Sequence, residues 1–206
     1  AVDLWAKAQG CALLEPERIK RVSGALLAGQ TVRYWSAWPV AGEAPAGVER
    51  AGTPEAADFA LTLTPEGGAL HLVPPIGVLG VGCRRGTTAE RLEEAFSAFC
   101  ASSGLSPAAV SAAASIDLKK EEPGLAQFCE AHGWPITFYS ADQLRAVPGQ
   151  FTPSAFVAGV TGVDNVCERA AAKASGGALL LPKTAGGGVT LALAVRPFAP
   201  DWRTEQ

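Results

Sequence analysis

Apolar residues change their spacing along the chain, and the change divides it. Val2, Leu4, Trp5 and Ala8 give a loose helical face at the start. A second helix begins at Pro16, where the missing N–H costs nothing. It carries Ile19, Val22, Leu26 and Leu27 at helical spacing and stops at Gly29. Thr31 to Trp35 reads as a short strand, and residues 36–56, rich in Pro and Gly, as a loop or loosely ordered connector. Ala57–Leu63 and Ala69–Val73 read as strands around a Pro-Glu-Gly-Gly turn. Pro74-Pro75 then closes a small N-terminal lobe, residues 1–75.

From Ile76 the pattern becomes regular. Ile76–Val81 is nearly all apolar, as for a strand buried on both faces. A Gly-rich turn leads to a helix over 88–103, with Thr87 and Glu90 spaced as a capping box. A short helical turn is expected at Ser106-Pro107. Ala112–Ile116 and Ile136–Tyr139 are further strands, with a helix over Glu122–His132 between them. Ser140 and Gln143 repeat the capping-box spacing, and helices are expected at 153–160 and 163–175. Ala178–Leu181 and Val189–Val195 are the last strands. The flexible link 183–188 makes them neighbours, and 197–206 is a tail. Strand–helix alternation predicts an α/β fold. Its layered sheet has mainly parallel strands and flanking helices over 76–196, with the small N-terminal α/β lobe attached.

Composition narrows the function. The 206 residues carry 17 Lys+Arg and 20 Asp+Glu, a net charge of -3. That balance, with no basic run, argues against nucleic-acid binding. No apolar stretch approaches the roughly 20 residues of a membrane helix. The five cysteines are widely spaced and include no Cys-x-x-Cys pair, which argues against a disulfide framework and fits a reducing cytoplasm. There is no Met, even at position 1, and no signal peptide, so the chain reads as a piece cut from a longer polypeptide.

In an α/β sheet, ligands gather at the carboxyl ends of the strands. Three loops leave those ends, Gly82–Thr87, Asp117–Glu122 and Ser140–Asp142, and Lys183 belongs to the same rim. The first loop supports three readings: a dinucleotide fingerprint, a plain tight turn, or an anion site formed by N–H groups, Arg84, Arg85, Thr87 and Thr88. The fingerprint fits poorly. Its glycines are one residue too far apart, and Asp117 lies 35 positions past Gly82, against about 20 expected. Cys83 is either an activated thiol beside two arginines or a small residue ending a strand. Asp117, Lys119 and Glu122 form a possible polar wall, although Glu121, Glu122 and Lys120 also suit a solvated helix start. Asp164 or Asn165 caps the next helix. Glu168 either pairs with an arginine or acts as a base. His71 and His132 carry no signal, and no catalytic triad, His-x-x-x-His pair or P-loop is present.

Two of these loops also carry a resemblance. Leu79-Gly-Val-Gly-Cys-Arg-Arg-Gly-Thr-Thr88 and Ile116-Asp-Leu-Lys-Lys-Glu-Glu-Pro-Gly-Leu125 resemble the C-terminal domain of the cobalamin-biosynthesis proteins CbiG and CobE. Gly162-Val163 through Cys167-Glu168 and Leu180-Leu-Pro-Lys183 continue the match in order, over about 76–196. Ala1–Lys7 and Pro16–Leu27 are similar to the middle region of CbiG, which favours CbiG over the shorter CobE. The Gly-Gly-x-His-Gly-Ala-Asn-like motif of the first CbiG domain is absent.

The resemblance implies the anaerobic corrin pathway, opening of the ring-A δ-lactone of cobalt-precorrin 5A, and loss of a two-carbon unit as acetaldehyde. The substrate is a macrocycle fringed with carboxylates. Its cobalt travels with it, so neither a cofactor nor a protein metal site is expected. Gly82, Cys83, Arg84, Arg85, Gly86, Thr87, Thr88, Asp117, Lys119 and Lys183 are the expected substrate-binding residues. The N–H groups of the 82–88 turn, with Arg84 or Arg85, would hold the developing anion, and Glu122 or Glu168 would be the base. Expected partners are the upstream domain of the same polypeptide and neighbouring corrin methyltransferases. A non-catalytic CobE-like corrinoid carrier and a Rossmann-like nucleotide enzyme remain as alternatives.

Overall fold

The computed structural model of the chain describes residues 1–153, 159 and 161–203. It divides into two compact units. One comprises Ala1–Pro75, Gly104–Ala109 and the stretch from Phe198; the other comprises Ile76–Ser103 and Val110–Pro197.

In the first unit, helices α1 (Val2–Ala8) and α2 (Ile19–Leu27) accompany strands β1 (Ala12–Leu13), β2 (Val32–Ser36), β3 (Val48–Arg50), β4 (Phe59–Leu61) and β5 (Leu70–Val73). The sheet order is β1-β5-β4-β2-β3. Val2, Trp5, Val22, Val32, Phe59, Leu61, Leu70 and Leu72 form the core. Three expectations are corrected here. β4 and β5 pair in parallel, Phe59 opposite Leu70, so the Pro-Glu-Gly-Gly turn does not fold them into a hairpin. The 36–56 connector contributes β3, which pairs with β2 along an edge where only three residues need partners. The expected tail is packed: Trp202 stacks on Trp5 at 4.3 Å, and the Trp5 indole N–H donates to the Asp201 carbonyl at 2.7 Å.

The second unit contains β6 (Gly77–Cys83), α3 (Ala89–Ser103), β7 (Val110–Ile116), α4 (Pro123–His132), β8 (Ile136–Tyr139), α5 (Ala141–Arg145), α6 (Val166–Ser175), β9 (Ala178–Gly186) and β10 (Val189–Val195). The sheet runs β8-β7-β6-β10-β9, with β6, β7 and β8 parallel and β10 antiparallel to both neighbours. Four of the five strands therefore share one direction.

Val78 and Gly80 face α6, and strand alternation turns Leu79 and Val81 to the other side. Gly80 is required there, because a Cβ would collide with the Cys167 carbonyl oxygen. The Ser140–Gln143 capping box is present in both halves. The Thr87–Glu90 box is not. The cap is Thr88, whose Oγ1 accepts from the Arg91 N–H at 3.2 Å, while Thr87 Oγ1 donates to the Arg84 carbonyl at 2.8 Å. The helix expected at 153–160 lies largely outside the described residues. Among the described residues, no helix is long and apolar enough to cross a membrane.

One polar device in the first unit predicts a pH dependence. The Glu15 carboxylate accepts from the His71 backbone N–H at 2.8 Å and contacts His71 Nδ1 at 2.8 Å, while His71 Nε2 faces the Glu66 carbonyl at 2.9 Å. Burial pulls the Glu15 pKa upward. The hydrogen bonds and charge of His71, with Arg18, outweigh this and hold it below the ordinary carboxylate value. A depressed carboxylate stabilises the fold above its unfolded pKa, and this contribution is lost as pH falls through the folded value. Four of the five tryptophans lie in this unit, so tryptophan fluorescence reports its unfolding. Glu15→Gln should lower stability at pH 7 by about 1.5 kcal/mol or more. It should also flatten the acid limb that the unmodified chain shows below about pH 4.5.

Candidate functional site

The second unit has a cavity of about 740 Å³ at the carboxyl ends of β6 and β7. Its wall brings together seven of the expected residues: Gly82, Cys83, Arg84, Arg85, Lys119, Glu122 and Lys183. Gly86, Thr87, Thr88, Asp117 and Glu168 are not on the wall.

The two loops meet because both backbones come close. Gly124, in the first turn of α4, abuts the Thr87 carbonyl so tightly that a Cβ would overlap it. Glu122 thereby reaches the first loop. Its Oε2 accepts from the Gly86 N–H at 2.8 Å, and its Oε1 lies 3.6 Å from Lys119 Nζ. The N–H groups of the 82–88 turn are largely engaged within the fold. Arg84 donates to the Gly188 carbonyl at 3.0 Å, Thr87 to the Arg84 carbonyl at 3.3 Å, and Gly86 to Glu122. The expected backbone anion hole is therefore closed at these three positions, which leaves side chains as the free donors on this part of the wall. Among the described residues, Arg84, Arg85 and Lys183 have no acidic group within ion-pair distance.

Glu168 has a different job from the expected base. It is 1% exposed. Its Oε1 accepts from the Lys183 N–H at 2.6 Å and the Thr152 hydroxyl at 2.9 Å, and its Oε2 accepts from the Thr152 N–H at 2.9 Å. Both oxygens accept hydrogen bonds from within the fold, so the carboxylate clamps β9 and Thr152 to α6. Asn165 caps α6 by accepting from the Glu168 N–H at 2.9 Å, and its own amide donates to the Thr152 carbonyl at 2.9 Å. Asp164 is held by Arg169 at 2.9 Å.

Cys83 is half-buried on the cavity wall. Burial is the largest influence on its thiol and pushes the pKa up. Glu122 adds to the rise, while Lys119 and Thr87 offset part of it. That is opposite to what an activated nucleophile needs. Cys167, buried under the cavity, is pushed up to about 11, again chiefly by burial.

The sequence left several wall residues without a binding role. Thr161, Asp164, Asn165 and Thr190 supply polar groups, and Ile116, Leu118, Val166 and Val189 supply apolar surface. Leu118 stands 61% exposed at the rim, so the wall offers apolar area to a ligand face as well as charge. Spacing signals could not reveal Thr190, which reaches the site by pairing opposite Gly82. Among the described residues, no group of three or more His, Cys, Asp or Glu side chains could hold a metal ion.

Comparison with known proteins follows the same division. The family described as "Cobalamin synthesis G C-terminus" matches residues 77–194, and "Cobalamin biosynthesis central region" matches residues 1–70. A cobalt-precorrin-5A hydrolase of Priestia megaterium is 36% identical over 134 residues, covering 65% of this chain and 35% of that protein. Protein CobE of Sinorhizobium sp is 33% identical over 120 residues, covering 57% of this chain and 78% of CobE. A crystal structure of CobE, a protein from the cobalamin (vitamin B12) biosynthetic pathway, aligns with TM-score 0.54 and 34% identity, covering 60% of this chain and 92% of that one. The chain spans about a third of the length of the hydrolase relative.

Two outcomes follow from the geometry. Glu168→Gln places an NH2 against a backbone or hydroxyl donor and should destabilise the second unit by about 2 kcal/mol or more, read by urea unfolding. At pH 7, Cys83 should react with iodoacetamide more slowly than a free cysteine; faster reaction would show an activated thiol.

Proposed function

The chain belongs to the CbiG family of cobalamin-biosynthesis proteins, and on that premise we propose that it forms the corrinoid-holding part of a cobalt-precorrin-5A hydrolase. The observation that carries this reading is the convergence of Arg84, Arg85 and Lys183 on one cavity with an apolar wall. Guanidinium and ammonium groups without acidic partners favour a polycarboxylate, and Leu118 with Ile116 suits the flat face of a macrocycle. The cobalt is part of the substrate.

Glu122 is the proposed base, as the carboxylate on the cavity wall that has no arginine partner. In lactone opening it takes a proton from water as the oxygen attacks the lactone carbonyl. The bond between that carbonyl carbon and the lactone ring oxygen then breaks; the oxygen leaves with the two-carbon unit and takes the proton back from Glu122, giving an alcohol and a ring-A carboxyl group that ionises. Removal of the alcohol proton then forms the aldehyde C=O as the C–C bond to the macrocycle breaks. The electron pair stays on the macrocycle, and acetaldehyde leaves. Arg84 or Arg85 stabilises the oxyanion of the first step.

A second reading has its own support. Glu168 is locked in the fold and Glu122 is held by Gly86 and Lys119, while the same unit is similar to CobE over most of that protein's length. A corrinoid carrier needs the cations and no base. It would hold an intermediate for the upstream domain or for a corrin methyltransferase.

Incubation of the chain with cobalt-precorrin 5A, alone and beside a form carrying the upstream domain, separates these readings. A catalytic Glu122 predicts acetaldehyde from the chain alone; release only with the upstream domain present would keep the chain as the corrinoid-holding part and withdraw Glu122 as the base. Glu122→Gln should retain the Gly86 contact yet reduce release about 100-fold or more. Tight corrinoid binding with no acetaldehyde in either form would support the carrier instead.

A further inference from the structure

The run Gly186-Gly187-Gly188 looks in sequence like a flexible link, yet Gly186 ends β9 and only Gly187 and Gly188 turn the chain, with φ of 57° and 80°. Each turn glycine lies beneath a different arginine. A Cβ at Gly187 would collide with the guanidinium of Arg91, which is paired with Glu94 at 2.9 Å and is not on the cavity wall. A Cβ at Gly188 would lie 2.9 Å from Cδ, 3.2 Å from Cγ and 3.3 Å from Nε of Arg84. Three consecutive atoms of Arg84 thus run flat across Gly188. The Arg84 backbone N–H also donates to the Gly188 carbonyl at 3.0 Å. Main chain and side chain of Arg84 are both seated on one residue.

We propose that Gly188 is a positioning residue for carboxylate recognition: the absence of a side chain at 188 lets Arg84 lie along the cavity wall and present its guanidinium there. This rests on the cavity being a polycarboxylate corrinoid site. Any Cβ at 188 lifts the Arg84 stem away from its seat, while the charge count and every other wall residue stay unchanged. Gly188 is itself on the cavity wall, so an effect that acts through Arg84 is one that disappears once Arg84 is removed, and the double variant reads it. Gly187 provides an internal control, because substitution there forces the same left-handed backbone strain in the same turn but meets Arg91, off the cavity wall, and not Arg84.

The test measures binding of cobyrinic acid, a cobalt corrin with free carboxylates, to the 206-residue chain by calorimetry at two salt concentrations. Arg84→Ala should weaken binding about tenfold, the value of one charge-assisted contact. Gly188→Ala should weaken it similarly and reduce the salt dependence to the same degree. Gly187→Ala should stay within about twofold, and the double variant R84A/G188A should bind no more weakly than Arg84→Ala alone. Should Gly188→Ala fold poorly, Gly188→Asn keeps the Cβ in a residue that tolerates positive φ, with the same expected loss. Equal losses from the Gly187 and Gly188 variants, or additive losses in the double variant, would overturn the positioning role. Failure of the unmodified chain to bind, or an Arg84→Ala variant that binds equally well, would instead overturn the corrinoid reading beneath it.

Discussion

The second unit is organised around one buried carboxylate. Glu168 gathers two backbone N–H groups and a hydroxyl from segments that are 16 and 15 residues away in opposite directions along the chain. A carboxylate removed from water in this way is tolerable only because every donor is charge-assisted and aimed at it. The result is a fixed point where α6, β9 and Thr152 meet. From it, Lys183 is carried to the cavity wall while its backbone serves the clamp. Gly80 completes the arrangement from the sheet side, since α6 can approach closely enough only over a strand residue with no side chain.

Glu122 has a lighter version of the same task. It joins the start of α4 to the turn after β6 and remains on the cavity wall, beside a lysine and not beneath a set of donors. The two carboxylates therefore divide the roles that sequence alone assigned to them jointly. One is structural because all of its bonds are made within the fold. The other keeps an oxygen near the Lys119 ammonium group and on the cavity wall. Cys83 sits between these charges, but burial outweighs them and keeps it a thiol.

Much of the second unit was legible because its signals are local. Ile136–Tyr139 and Val189–Val195 have the expected limits, and the Ser140 box needs only four residues to declare itself. The errors share a cause in long-range geometry. Thr87 and Thr88 are equally good caps by composition; in the fold Thr88 is the cap and Thr87 donates to the Arg84 carbonyl. A Gly-rich turn suggests free N–H groups, yet their occupation by Glu122 and Gly188 depends on strands and helices far off in sequence. Glu168 looks like a base on a helix until its donors are placed. In the first unit, β4 and β5 have the composition of a hairpin, but their direction is set by pairing with β2 and β1.

The same geometry explains why holding a corrinoid and hydrolysing it make different demands on the cavity. In the proposed reading, binding needs positive charge and apolar area, which Arg84 at a strand end, Lys183 on the clamped strand, and the Ile116 and Leu118 side chains would supply. Chemistry needs a carboxylate that can exchange a proton and move by a fraction of a bond length. In the proposed hydrolase role Glu122 would exchange that proton at Oε1, while Oε2 holds the Gly86 N–H of the loop bearing Arg84 and Arg85. The two proposed tasks therefore meet at one backbone amide, and a chain that only carried corrinoids would need the cations of this loop alone.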